Sequence, residues 1–210
     1  MRTSRTNAAS TSAALRRLAE RRVIVSGLLG AFATLALGSS STAERYIPSF
    51  ASGRYQFTIL RPQRDMPSVR LLRLDGTTTE LSTLRGRPVV LNFWASWCAA
   101  CRTELPILDR LRKQDAGLHV LAVSKDQADR ATIVRFVETL GIRNLPIYRD
   151  PDGSVASSDR DNRNNAPFAL YGMPITYLIS SSGRVVGYMP GAADWTSDVA
   201  RNLLDYLRRT

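Results

Sequence analysis

Histidine is almost missing from this chain of 210 residues, where His119 stands alone. Cysteine is nearly as scarce, with Cys98 and Cys101 the only two. A structural zinc site takes four ligands, commonly two cysteine pairs or one pair with histidines, so zinc has too few partners here and no metal site is expected. A purely structural disulfide between these two would close a loop of two residues, and the constraint on the unfolded chain grows with loop length. Lysine is rare as well, limited to Lys113 and Lys125. The net charge of +11 is not gathered into a basic cluster interleaved with aromatics, so nucleic acid is not an expected partner. Six arginines and one glutamate in residues 1–43 supply +5 of that charge, leaving +6 on the remainder.

The two cysteines stand where the pattern of the chain changes. Val89, Val90 and Leu91 form a short apolar run of the kind a buried strand shows, and Leu105, Leu108 and Leu111 follow with the spacing of one helix face. The C-x-x-C therefore falls at a helix N-terminus, where unpaired backbone N–H groups and the helix dipole favour a thiolate. Cys98 is expected as the accessible nucleophile. Cys101, on the face of Leu105 and Leu108, is expected as the buried resolving thiol. Thiol–disulfide exchange is the chemistry such a pair fits best.

Before this centre lies an export segment. Arg2, Arg5, Arg16, Arg17, Arg21 and Arg22 precede the apolar run Val23 to Leu37, and Ser41-Thr42-Ala43 offers a cleavage site. Residues 1–43 read as a signal peptide or signal anchor that leaves the domain outside the cytoplasm. Residues 44–66, with Gly53, Pro48 and Pro62, read as a linker, and residues 67–210 as one domain. Val69 to Leu74, Asp75-Gly76 and Thr77 to Leu81 predict a β-hairpin with a D-G turn. Leu118 to Ser124 predicts a strand and Ile133 to Leu140 a helix, which gives a β-α-β-α order with parallel strands. Ser157 to Asn165 reads as a polar surface loop. Ile175 to Ile179 and Val185 to Met189 predict an antiparallel pair, and Trp195 to Leu207 a last helix with Val199, Leu203, Leu204 and Leu207 on one face. Trp94 and Trp195 read as packing residues.

The run from Val89 through Trp94, Trp97 and Cys98 to Pro106 resembles the active site of the thioredoxin superfamily, and more narrowly its TlpA/ResA/DsbE branch of exported thiol-disulfide oxidoreductases. The resemblance extends over about Pro67 to Arg208. It implies an α/β thioredoxin-like fold, a central mixed sheet with helices on both sides, carrying an added N-terminal β-hairpin. It implies a cis Pro174 facing the cysteines, with the backbone of Met173 pairing with the partner and Trp97 as an exposed contact. The aspartate that thioredoxin itself places six residues before its first cysteine is Asn92 here, which cannot titrate. Glu104 matches a glutamate of the ResA-like proteins and is expected, partly buried, to accept the proton of Cys101. The family's frequent proline in the dipeptide between the cysteines is replaced by Ala99-Ala100.

The same resemblance implies a monomer that reduces disulfides in specific exported proteins, of the kind needed in cytochrome c or copper-oxidase maturation. It would need no cofactor, would be recharged by a membrane thiol electron donor, and would sit at the periplasmic face of a bacterial inner membrane, anchored or released. Two alternatives stay open. One is a Cu(I)-binding delivery module using the same cysteines. The other is a thiol peroxidase, which the presence of Ala95 in place of the peroxiredoxin threonine disfavours.

Overall fold

The computed structural model describes residues 46–210. The expected signal or anchor at 1–43 lies outside the described residues. Among the described residues twelve strands and three α-helices follow in chain order. A small antiparallel pair comes first among the described residues, β1 (Ala51–Ser52) with β2 (Tyr55–Gln56), followed by β3 (Thr58–Asp65), β4 (Arg70–Arg73) and β5 (Thr78–Glu80). A 3-10 turn over Leu81–Leu84 leads to β6 (Val89–Trp94), α1 (Ala99–Gln114), β7 (His119–Ser124), α2 (Arg130–Thr139) and β8 (Ile147–Arg149). Next come β9 (Ala156–Ser157), β10 (Phe168–Ala169), β11 (Ile175–Ile179), β12 (Arg184–Pro190) and α3 (Asp198–Arg208).

Eight strands form one mixed sheet in the order β3-β12-β11-β6-β7-β8-β4-β5. β6, β7 and β8 run parallel, joined by α1 and α2 as crossovers, while β11, β12 and β3 pair antiparallel on one side and β4 and β5 on the other. β6 lies among the central strands and all six of its residues are buried. That explains its continuous apolar reading, because a strand covered on both faces has no polar side to show. The D-G hairpin is present, with Gly76 at φ 89°, a left-handed conformation that glycine adopts without steric cost. β4 then joins it to the main sheet by pairing with β8.

Residues expected as a linker contain strands instead. β3 is an eight-residue edge strand paired to β12, with Arg184 opposite Asp65 and Tyr188 opposite Thr58. Its inner neighbour is held close: a Cβ at Gly187 would lie 2.3 Å from the Thr58 carbonyl oxygen. Polar residues and a proline are tolerated at an edge, where half the backbone groups need no ladder partner, and so β3 carries no apolar run to announce it.

The helices also depart from expectation. On β6, Val90 and Trp94 belong to one core cluster and Val89, Leu91 and Phe93 to the other. The buried apolar residues of α1, α2 and α3 all join the first cluster, so the three helices cover one face of the sheet rather than two. Met66, Leu71, Leu81 and the segment from Val155 to Phe168 cover the opposite face. α3 starts later than expected, at Asp198, with the Ser197 hydroxyl accepting from the Ala200 N–H as its cap. Val199 is 49% exposed and not part of the buried face, which is formed by Ala200, Leu203, Leu204 and Leu207. Among the described residues no helix is long and apolar enough to cross a membrane.

Candidate active site

Strand β6 delivers the chain to Trp94, the segment 95–97 turns it, and α1 begins at Ala99 with Cys98 as its N-cap. The Cys98 sulfur accepts the Cys101 N–H at 3.1 Å, the bond a capping side chain makes to a free donor of the first turn. In the structure the two sulfurs are joined in a disulfide with the Cα atoms 5.3 Å apart. Cys98 keeps 7% of its surface exposed and Cys101 none, so of the two only Cys98 can be reached from outside.

The turn before the cysteines is clamped by Asp126, a residue the sequence reading passed over. Its carboxylate accepts the Ser96 N–H at 2.9 and 3.1 Å, the Ser96 hydroxyl at 2.8 Å and the Ser124 hydroxyl at 2.8 Å. Neighbouring Lys125 reaches the other way. Its ammonium donates to the Asp150 carboxylate at 2.5 Å and to the carbonyls of Asp150 and Ala156 at 2.8 and 2.9 Å. Adjacent residues at the end of β7 thus hold both the cysteine turn and the root of the polar segment that follows β8.

That segment forms a wall beside the cysteines. An open groove of about 550 Å³ is lined by Trp97, Cys98, Ala99 and Ala100 on one side and by Ser158, Leu170, Gly172 and Met173 on the other. Trp97 is 71% exposed at its rim. The peptide bond between Met173 and Pro174 is cis. Met173 lines the groove, whereas Pro174 is buried behind it and does not. A second groove of about 410 Å³ runs on over the polar segment, sharing Ser158 and Leu170 with the first.

Glu104 is buried outright, 1% exposed, where partial burial was expected. Three donors converge on its carboxyl: the Trp195 Nε1–H at 2.7 Å and the Ala193 N–H at 3.0 Å on Oε1, and the Asn92 amide at 2.9 Å on Oε2. Burial pushes its pKa up to about 7, against these hydrogen bonds, which pull it back down. Trp195 is therefore more than the packing residue expected. It packs on Phe50 at 5.2 Å between ring centroids, and it also orients the acid of α1. Asn92 donates a second bond to the Thr176 hydroxyl at 2.9 Å, across the β6–β11 register that pairs these two residues. Asn92 entered the sequence reading only as the residue in place of thioredoxin's aspartate; a polar residue inside a strand that otherwise reads Val-Val-Leu-Phe-Trp is the signal that could have marked it as a partner, since buried polar groups are kept where they have partners.

His119 lies at the far end of β7, paired in register with Val89 and so removed from the cysteine end of β6. Burial and the neighbouring Arg87 and Arg112 push its pKa down. Among the described residues no cluster of three histidine, cysteine or acidic side chains is placed to hold a metal ion.

A mixed sheet with parallel centre and antiparallel flank, and a C-x-x-C at the head of a helix beside a cis proline, define a thioredoxin-like thiol–disulfide oxidoreductase. The chain belongs to the AhpC/TSA family, whose model matches residues 62–188 and so begins within β3. It is similar to the thiol-disulfide oxidoreductase ResA of Bacillus subtilis, at 30% identity over 129 residues, 60% of this chain and 66% of that protein. It also resembles the thiol:disulfide interchange protein CycY of Rhizobium leguminosarum, at 34% over 106 residues, half of each chain. Among solved structures, the exposed lipoprotein thioredoxin Etrx1 of Streptococcus pneumoniae matches with a TM-score of 0.53 at 27% identity, over 69% of this chain and 100% of that one. A secreted thiol-disulfide isomerase of Corynebacterium glutamicum shares the fold with a TM-score of 0.56 at 24% identity, over 74% and 96%.

Proposed function

We propose that this protein is an exported reductant of disulfides in specific partner proteins, working at the periplasmic face of the inner membrane as a monomer held there by, or released from, residues 1–43. The observation that carries the reading is the asymmetric cysteine pair. Cys98 borders an open groove and caps a helix, while Cys101 is sealed beneath it on the same helix as the buried Glu104.

In the reaction the Cys98 thiolate attacks one sulfur of the partner's disulfide. That S–S bond breaks, the departing partner sulfur takes up a proton, and a mixed disulfide joins the two proteins. The ionised form of Glu104, which a pKa of about 7 makes available at neutral pH, accepts the proton of Cys101. The Cys101 thiolate then attacks the Cys98 sulfur, and the second partner thiol leaves. Two electrons have passed to the partner and the protein is left with the Cys98–Cys101 disulfide. A membrane thiol electron donor supplies two electrons to reopen it.

Trp97 and Met173 form the docking side, with Pro174 behind them holding the cis turn that presents Met173. The Met173 backbone offers an edge to an extended segment of the partner, in the manner of an added strand, and Trp97 supplies exposed apolar surface. The alanines between the cysteines bring no cation, so nothing there stabilises the thiolate to the degree a strong oxidant needs. Partners fitting this chemistry are exported proteins whose cysteines must be reduced before haem or copper is attached, as in cytochrome c and copper-oxidase maturation.

The test is Cys101→Ala, which removes the resolving thiol. Expressed in reductant-free cells, it accumulates mixed disulfides through Cys98 that dissolve on adding dithiothreitol. Absence of any such adduct would sink the reading.

A further inference from the structure

Asn92 Oδ1 is buried and has no hydrogen-bond partner among the described residues, although Nδ2 of the same side chain has two. A buried acceptor left without a donor is costly, and its presence in the middle of the network around Glu104 calls for a reason. The reason lies in what the carboxyl needs in its two states. Ionised, Glu104 accepts from all three of its neighbours. Protonated, its new O–H must find an acceptor, and the groups around it are few. Ala193 presents a backbone N–H and Trp195 an indole N–H, both donors only. Thr176, from β11, touches Asn92, and the shift of Glu104 has burial and hydrogen bonds as its causes, with no charged side chain contributing. Of the three groups that hydrogen-bond Glu104 in the disulfide form, Asn92 alone can change from donor to acceptor, by a half-turn of its carboxamide that exchanges oxygen and nitrogen.

We propose that Asn92 is a positioning residue whose carboxamide turns over with the protonation of Glu104, keeping the carboxyl in place both with and without its proton. In the ionised state Nδ2 donates to Glu104 Oε2 and to the Thr176 hydroxyl. In the protonated state Oδ1 accepts from Glu104 Oε2–H and from the Thr176 hydroxyl. Without the turn, the carboxyl O–H would meet Nδ2–H head-on, and two buried groups rather than one would lack partners. An ionised aspartate at this position, having no hydrogen to give, could not serve the ionised glutamate. The inference needs only that Glu104 gains and loses a proton, and it deepens the reading of Glu104 as the proton acceptor of Cys101, since a group that changes protonation in turnover must be held in both forms.

The experiment uses the oxidised full chain, in which no thiol titrates, labelled with ¹³C and ¹⁵N and followed by NMR through the titration of the Glu104 carboxyl. The nuclear Overhauser effect between the Asn92 Nδ2 hydrogens and the Thr176 methyl is expected to be strong above the titration midpoint and to fall severalfold below it. An effect that stays constant through the titration overturns the proposal. In Asn92→Leu the anion loses a charge-assisted donor and the acid only a neutral bond. Since the former is about twice as strong, the Glu104 midpoint should rise by about half to one pH unit; an unmoved midpoint also counts against the proposal. The two readings fail separately. A pH profile of disulfide exchange left unaltered by Glu104→Gln would overturn the proton role of Glu104 and leave the turning amide standing.

Discussion

Replacing Glu104 by glutamine should change how the protein's stability depends on pH more than it changes the fold. Glutamine keeps a carbonyl oxygen for the Trp195 and Ala193 donors and places an amide where the protonated carboxyl would stand, facing an Asn92 that has turned. The folded carboxyl titrates at about 7 and its ordinary value is 4.5. Because the folded value is the higher one, the native state binds more protons than the unfolded chain between those two pH values. Stability is therefore full below about pH 4.5 and is lost as pH rises through 7. At 1.36 kcal/mol per pH unit the loss amounts to about 3 kcal/mol, and the side chain is buried enough that solvent screening does not reduce it. Urea titrations of the oxidised protein at several pH values between 4.5 and 8 read this directly. With a slope of about 2 kcal/mol/M, the wild-type midpoint should fall relative to Glu104→Gln by roughly 1–2 M across the range. A difference between the two proteins that does not change with pH would refute the assignment of a raised pKa to this group.

Two further perturbations test the scaffold. Lys125→Met keeps the length of the side chain but leaves the fully buried Asp150 carboxylate without its cation. Thermal or urea unfolding should show a loss of about 3–5 kcal/mol, and a loss under 1 kcal/mol would mean the pair contributes little to holding the groove wall. Gly187→Ala drives a methyl group against the Thr58 carbonyl at 2.3 Å and the Phe57 ring at 2.6 Å. It should cost about 1–3 kcal/mol and speed proteolysis within 46–65; unchanged cleavage would show that β3 is not fastened to β12 as described.

Much of the fold could be read from local pattern, because its signals lie between near neighbours. The D-G hairpin, the buried run of β6 and the helix spacing after Cys101 each occupy a dozen residues or fewer. The cysteine pair could be read for the same reason. What escaped depends on contacts far apart in sequence. Trp195 reaches Glu104 across 91 positions and Asp126 reaches Ser96 across 30, and neither carries a local mark of its partner. β3 escaped on other grounds. Its run Thr-Ile-Leu-Arg-Pro-Gln-Arg-Asp has too few apolar residues to read as a strand, and only its place at a sheet edge makes that composition workable. The distribution of the helices was misjudged because periodicity gives a helix's buried face but not the side of the sheet it will meet. Glu104 was found by resemblance, yet its depth was not, since a carboxylate near the start of a helix is ordinarily solvated and favoured there by the dipole, whereas Glu104 is the sixth residue of α1 and falls on its buried face.

The central claim is that the Cys98–Cys101 pair spends its turnover as a donor of electrons to partner disulfides. Equilibrating the purified protein against glutathione and dithiothreitol and quantifying the two forms gives the reduction potential of the pair. A value near thioredoxin's, about −270 mV, is what a dithiol without a cationic neighbour, working as a reductant, should show. A value above about −200 mV, more oxidising than the glutathione couple, would contradict the account and make the protein an oxidant or isomerase of its partners.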